Sequence, residues 1–397
     1  MQQLELDGRA TALEPMNGCG LLGALKCVAG MEGVLPMIHG PVSCSSGHRL
    51  AMLYAGVEPL LPTTCVEQTQ VVLGCADRLA DAMQKAYDKY HPEILVVLLT
   101  CATAMTGEDY QLVANEYAKT TAKQALILDG SALAGDEVDI CPRLYAALGE
   151  ALGLKAAPRG SRVLALDGFA KTDYGFAENL PALKALIEGG LEAQWTPGLF
   201  AGSDVFDRGG QYRQAQKMKV SLLWDRGGMD TAAPVGVRGS YRFLKAVARD
   251  CGLRLRPQAE ETRRAYQDQL LSLARELRAA ALPVAIEGAA WYAYPLADYL
   301  KNDLGCRVLL SVDRAADAIR WQDVCDEFYE DTGRFELVEL MRDFGAKLVF
   351  GSSNVQQDSS WDYIPFYQPV WRVVNPMPLL GYDAAIALAR RLLEAVS

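Results

Sequence analysis

Ile94-Leu95-Val96-Val97-Leu98-Leu99-Thr100-Cys101 is uncharged, and apolar until its last two side chains. A run of this length without polar alternation fits a strand covered on both faces, as in a parallel sheet. Upstream, residues 70–90 form one long amphipathic helix, stopped by His91-Pro92. Before it, residues 34–38 read as a short buried strand running into the His39-Gly40-Pro41 turn, and 21–29 as a helix punctuated by Gly30 and Gly33. Residues 1–16 carry no sustained period and read as an irregular arm. Downstream, residues 125–128 repeat the apolar strand, and helix 142–152 is closed by Gly153.

The same beat then restarts twice. Strands at 162–166 and 220–224 alternate with helices at 180–188 and 239–251. The Arg- and Glu-rich helix 258–280 reads as a surface connector. A third round places strands at 283–286, 307–311, 347–350 and 371–374, with helices at 292–304, 335–344 and 382–396. Strands alternating with helices predict an α/β fold with parallel sheets. The resets divide the chain into 1–158, 159–280 and 281–397.

The 397 residues are half hydrophobic, ample for several cores, and carry a net charge of −10. That charge disfavours nucleic acid or an anionic membrane surface as partner. The longest uncharged apolar stretch, 94–107, is 14 residues and too short to span a bilayer. The first residues resemble no signal peptide, so a cytoplasmic protein is expected. In a reducing compartment its ten cysteines are core fillers, metal ligands or redox groups.

Gly18-Cys19-Gly20-Leu21-Leu22-Gly23 satisfies G-x-G-x-x-G, but Leu13-Glu14-Pro15-Met16-Asn17 before it is a poor strand. A dinucleotide site is therefore disfavoured. The glycines instead free the backbone around a thiol at a helix start, where the helix dipole favours thiolate. No Gly-Lys pair exists, which excludes a Walker A loop, and the three histidines all precede residue 92. Cys27, Cys75, Cys141, Cys251, Cys306 and Cys325 sit in helical or helix-edge settings that suit packed core, and Cys65 fits neither group. Cys19, Cys44 and Cys101 differ, because each lies at a turn or just past a strand end. They are 25 and 57 residues apart, so only the fold can bring them together. Soft thiolates at strand tips suit an iron–sulfur cluster, with packed core as the alternative. Three thiols leave the usual four one short, which implies a partner subunit or a non-cysteine ligand.

The pattern Gly18-Cys19, then Gly33 through His39-Gly40-Pro41-Val42-Ser43-Cys44, then Glu67, Thr100-Cys101 and Thr106-Gly107-Glu108-Asp109 resembles the nitrogenase component 1 superfamily. Stretches 163–168 with Asp173, 347–353 and 376–382 extend the likeness along most of the chain. The family includes the molybdenum–iron protein subunits, cofactor-assembly scaffolds, tetrapyrrole reductases of the protochlorophyllide and F430 types, and methylthio-alkane reductases. The resemblance implies three Rossmann-like domains. It also implies that Cys19, Cys44 and Cys101 hold half of an iron–sulfur cluster, 8Fe–7S P-cluster-like or 4Fe–4S, shared with an α-like subunit in an α2β2 heterotetramer. Electrons would come from a separate ATP-dependent 4Fe–4S reductase, in keeping with the missing Gly-Lys. The α-type chains use a mid-chain cysteine and a C-terminal histidine for the catalytic metallocluster. This chain has Cys251 but no histidine after His91, so it resembles the β type. It is also shorter than a nitrogenase β subunit, which argues against dinitrogen as substrate. Methylthio-alkane (carbon–sulfur bond) reduction is the expected reaction. An assembly scaffold or a tetrapyrrole reductase subunit is the alternative, and no catalytic residue is assigned.

Overall fold

The computed structural model describes residues 4–6, 9–11, 18–28, 31, 33–54, 57–136, 139–151, 163–167, 175–192, 194–197, 219–221, 233–313, 320–352, 355–356, 360–366 and 377–395. The strand expected at 371–374 lies outside them, as do the side chains of Cys141 and Cys251.

The irregular arm is instead a two-stranded antiparallel pair, β1 (Leu4–Leu6) and β2 (Arg9–Thr11), with Leu6 opposite Arg9. The sequence between them, Asp7-Gly8, is the dipeptide favoured in tight hairpins, a signal the periodicity reading passes over. Helix α1 (Gly20–Val28) follows, then β3 (Val34–His39), α2 (Val42–Tyr54), α3 (Gln68–Leu73), α4 (Ala76–Tyr90) and β4 (Ile94–Leu99). Next come the short α5 (Cys101–Ala104), α6 (Tyr110–Thr121), β5 (Gln124–Asp129) and α7 (Ile140–Ala151).

Strands β3, β4 and β5 form one parallel sheet in that order, with Val34 opposite Ile94 and Ile94 opposite Gln124. Every residue of β3 and β4 is buried. The two-residue period decides which way each side chain goes. Ile94, Val96 and Leu98 pack with Leu21, Leu25, Met52 and Leu144 on one face. Leu95, Val97 and Leu99 pack with Leu79, Met83, Tyr110 and Tyr117 on the other. An unbroken apolar strand is what two such cores require.

A second parallel sheet runs β7 (Gln194–Pro197), β6 (Val163–Asp167), β8 (Lys219–Ser221), with α8 (Phe176–Gly190) between β6 and β7 in sequence. Helices α9 (Gly236–Cys251) and α10 (Gln258–Ala280) lead into the third. Its strands are β9 (Pro283–Gly288), β10 (Arg307–Val312), β11 (Glu327–Glu330), β12 (Leu348–Gly351) and β13 (Asp362–Pro365). They run parallel in the order β11-β10-β9-β12-β13, a doubly wound topology. Helix α11 (Ala290–Asp298) continues into a π turn at Tyr299–Asp303, α12 (Arg334–Phe344) precedes β12, and α13 (Gly381–Glu394) ends the described chain.

Helix α10 is not a connector. Leu270, Ala274 and Leu277 are buried in a core that runs from Leu183 of α8 through Phe243 of α9 to Leu392 of α13. Its Arg and Glu residues cover the outward face, so composition hid a packed stripe. Asn179 fastens this assembly: its buried side-chain carbonyl accepts the N–H groups of Leu379 and Leu380 at 2.8 and 3.0 Å, just before α13.

Leu270 is fully buried and Leu271 is 41% exposed. Leu270→Ala is expected to lower unfolding free energy by about 2–5 kcal/mol. Leu271→Ala is expected to stay within about 0.5 kcal/mol. Equal shifts in denaturant midpoint for the two variants would return α10 to a solvated connector.

Candidate functional site

All three singled-out cysteines lie at helix starts, and β3 and β4 deliver two of them. Cys19 immediately precedes α1, Cys44 is in the first turn of α2 and Cys101 is the first residue of α5. The two helix starts at Cys44 and Cys101 adjoin because Gly40 leaves room. A Cβ at Gly40 would overlap Cγ2 and Oγ1 of Thr100, the residue before Cys101. The Thr103 hydroxyl then donates to the His39 carbonyl at 2.7 Å and accepts the Thr100 N–H at 3.0 Å. Cys19 is set by a second close approach. A Cβ at Gly20 would lie 3.0 Å from the Gly130 carbonyl oxygen at the tip of β5. Within the G-x-G-x-x-G letters, Gly20 thus serves helix-to-sheet packing.

The three thiols share one electrostatic environment and none is in a disulfide. Burial and the charges of Cys19 and Cys101 push the Cys44 thiol up. Cys101 is exposed, while Cys19 and Cys44 are half-buried. Burial alone would raise the Cys19 thiol. The hydrogen bond and charge of His48, with the Leu22 and Leu21 N–H groups, outweigh it and hold Cys19 below its usual range. His48 was not singled out in the sequence. Its Nε2 is 3.1 Å from Cys19 Sγ and its Nδ1 2.7 Å from the Cys44 carbonyl oxygen. Burial lowers the His48 imidazole, but the Cys19 contact and the Cys44 carbonyl raise it further.

A second polar cluster surrounds Cys75, which is packed in the core as expected but is also hydrogen-bonded there. Residues 70–90 are two helices, broken where Gly74 adopts φ 109° and Cys75 caps α4. The Glu108 carboxylate, from the Gly107-Glu108-Asp109 motif, accepts the N–H groups of Cys75 at 2.8 Å and Ala76 at 3.0 Å. It also accepts the Cys75 thiol at 3.2 Å and the Tyr110 hydroxyl at 3.0 Å. Burial opposes ionisation of Glu108, yet these bonds outweigh it and hold the carboxyl below its usual range. Gly40 N–H donates to Thr64 Oγ1 at 3.0 Å, and His39 lies between Thr64 Oγ1 (Nδ1, 3.0 Å) and Cys75 Sγ (Nε2, 3.4 Å). These groups close as a relay in which Thr64 donates to Nδ1 and Nε2–H faces sulfur. That needs a neutral ring, and burial pushes the His39 imidazole down to about 4 despite the Glu108 charge. His39 and Glu108 brace the strand tips rather than face the thiols.

The remaining cysteines divide by environment. Cys27 is buried in the core against β3 and β4. Cys306 and Cys325 are buried near β10 and β11, where burial pushes each thiol up to about 12. Cys65 takes a left-handed φ of 49°, uncommon for a non-glycine residue. Glu67 caps α3 in a box with Gln70.

Among the described residues, no three His, Cys, Asp or Glu side chains converge where one ion would sit. Cys44 feels the charges of Cys19 and Cys101, and thiolates are the donor type that iron–sulfur groups take.

A parallel α/β fold with thiols presented beyond its strand tips defines a class. The chain belongs to the nitrogenase component 1 type oxidoreductases, whose family model matches residues 19–188 and 211–397. It is similar to the nitrogenase molybdenum-iron protein beta chain of Crocosphaera subtropica, 30% identical over 101 residues, or 25% of this chain and 20% of that protein. To the beta chain of Azotobacter vinelandii it is 26% identical over 132 residues, 32% and 24% of the two chains. These alignments span a fifth to a quarter of the relatives' length. A solved structure of nitrogenase Cp1 at pH 6.5 superposes with a TM-score of 0.72 at 15% identity, covering 99% of this chain and 95% of that one. At that identity the likeness is one of fold, and it bears out the expected α/β class. Among the described residues no helix is long and apolar enough to cross a membrane.

Gly40→Ala is expected to lower stability by about 1–3 kcal/mol through overpacking against Thr100. Thr100→Ser in the same chain should restore part of it. Strict additivity in a double-mutant cycle would show that the two do not touch. His39 titrates near 6.5 when unfolded and about 4 when folded. Stability is therefore full above pH 6.5 and is lost as pH falls toward 4, by up to about 3 kcal/mol. His39→Gln should flatten that slope in denaturation curves taken across the range; an unchanged slope would assign it to other groups.

Proposed function

We propose that this chain is the β-type subunit of a nitrogenase-like reductase complex, with Cys19, Cys44 and Cys101 holding half of an interfacial iron–sulfur cluster. The observation that carries the reading is that Cys44 feels the charges of both Cys19 and Cys101, three thiols outside any disulfide that each stand at a helix start. When bound, the cluster supplies one-electron transfer. The chain's own work is to aim sulfur. Gly40 and Thr103 hold the β3 and β4 tips together, and Gly20 seats Cys19 against β5. At Cys19 the start of α1 and His48 favour thiolate.

An α-like subunit supplies the other half-site and the catalytic cofactor in this reading. Support comes from the beta-chain relatives, the absence of histidine after His91, and the exposed apolar Val42 and Met105 close in sequence to Cys44 and Cys101. Electrons arrive from a separate ATP-dependent 4Fe–4S reductase, in keeping with the missing Gly-Lys. The units 1–158, 159–280 and 281–397 serve as cluster-binding domain and two further Rossmann-like domains. Cluster nuclearity, 8Fe–7S or 4Fe–4S, follows from the metal count. We assign methylthio-alkane carbon–sulfur bond reduction as the reaction.

Alanine at Cys19, Cys44 or Cys101, expressed with the natural partner, is expected to lower bound iron and sulfide at least severalfold. Unchanged metal in all three variants sinks the cluster assignment. In the copurified complex, turnover of a methylthio-alkane with the cluster retained supports the reductase. Transfer of the cluster to an acceptor protein, or a copurifying coloured macrocycle, would move the chain to a scaffold or a tetrapyrrole reductase.

A further inference from the structure

We propose that the tips of β9, β10 and β12 bind a small monovalent cation of the ammonium type through Glu287 and Ser311. The place is the switch point of the third sheet. From β9 the chain adds β10 and β11 on one side, then returns to lay β12 and β13 on the other. Open α/β sheets take ligands in the crevice beyond the strand ends at such a reversal. Glu287 comes from the end of β9, and Ser352 directly follows β12. The Ser352 N–H and hydroxyl both donate to Oε2 of Glu287, at 2.8 and 2.7 Å. Gly351 leaves the room for this, since a Cβ there would lie 3.0 Å from Oε2 and 2.5 Å from Val355 Cγ2.

Two polar atoms are left over. Oε1 of Glu287 makes no hydrogen bond among the described residues, although Glu287 is only 5% exposed. Ser311, its register partner in β10, is fully buried and its hydroxyl has no partner. Register partners in a parallel pair turn to the same face, so hydroxyl and carboxyl stand side by side. No positive group answers the carboxylate. Burial opposes its charged form, and only the two Ser352 bonds support it. The neighbouring tips are acidic too, with Asp313 after β10 and Glu330-Asp331 at the end of β11. Asp313 accepts the Ala290 N–H at 2.7 Å, at the start of α11. A buried carboxylate without counter-charge is unfavourable, and an unpaired hydroxyl beside it adds to the cost. One monovalent cation between Oε1 and Ser311 Oγ removes both penalties. An ammonium group suits the place, with a single charge and three N–H donors. A divalent ion does not, because among the described residues no three His, Cys, Asp or Glu side chains converge.

The test follows the thermal midpoint of the full chain, in its complex, as ammonium chloride replaces choline chloride at constant ionic strength. A saturable rise is expected, because a ligand held only by the folded state stabilises it. Glu287→Gln keeps the shape of the side chain and is expected to raise the half-saturating concentration about tenfold or more. Ser311→Ala removes one hydroxyl and is expected to raise it about threefold or more. Methylammonium as effective as ammonium assigns the site to a small molecule with an ammonium end. Potassium effective and methylammonium inert assign it to an inorganic ion. No saturable rise with any of these cations overturns the proposal and leaves a water bridging Ser311 and Glu287. Equal half-saturation in wild type and either variant overturns it as well, and Ser311→Ala decides alone if Glu287→Gln does not fold. The site belongs to the third sheet, so neither result bears on the cluster reading.

Discussion

The tips of β3 and β4 meet where Gly40 has no side chain and Thr100 fills the gap. Much of the thiol arrangement depends on that contact. Cys44 comes four residues after Gly40 and Cys101 one residue after Thr100, so a methyl group at position 40 would wedge apart the starts of α2 and α5. The Thr103 hydroxyl bridges the same two tips. Strand ends in an open parallel sheet fan outward with the twist. Two tips held this closely fix the direction of every side chain just beyond them.

The residues that carry the family resemblance separate into two kinds of work. The cysteines stand at helix starts within reach of each other. His39 and Glu108, which look equally like chemistry in the sequence, brace the floor. Glu108 does so across 33 residues, satisfying the first N–H groups of α4 and setting where that helix begins. A carboxylate at a helix N-terminus is stabilised by the same dipole that would favour a thiolate there. One device therefore serves both kinds of residue, and only the surroundings tell them apart.

The central strand was legible because burial on both faces leaves a local trace, six consecutive apolar residues from Ile94 to Leu99. The break between α3 and α4 was not, since its cause at Glu108 is distant in sequence. Helix α2 was missed for another reason. Its Val42, Leu50 and Leu53 are exposed while Met52 is buried, so its apolar residues do not mark an inward stripe. Missing α2 hid His48 as well, because a side chain four residues after Cys44 reaches the thiols only on a helix. Cys75 read as a small hydrophobe, and its burial is as expected, but its partners His39, Glu108 and Tyr110 come from three other segments. The thiol-bearing turns themselves were legible from glycine, proline and strand ends.

The buried clusters divide the described chain unevenly. Those on the first sheet draw on no residue beyond 151, whereas the largest begins at Leu183 and joins helices α8 to α11 and α13 with β9, β10, β12 and β13. Helix α12 packs in a separate cluster on the other face of the third sheet. Helices α8 to α11 and α13 therefore share one buried core with the third sheet. The sheet that presents the thiols has its own source of order. The buried clusters around the β3–β4 tips share no residue with that core. Evolution could thus reshape the carboxy-terminal two-thirds for new partners or substrates while the amino-terminal frame stayed set for one task.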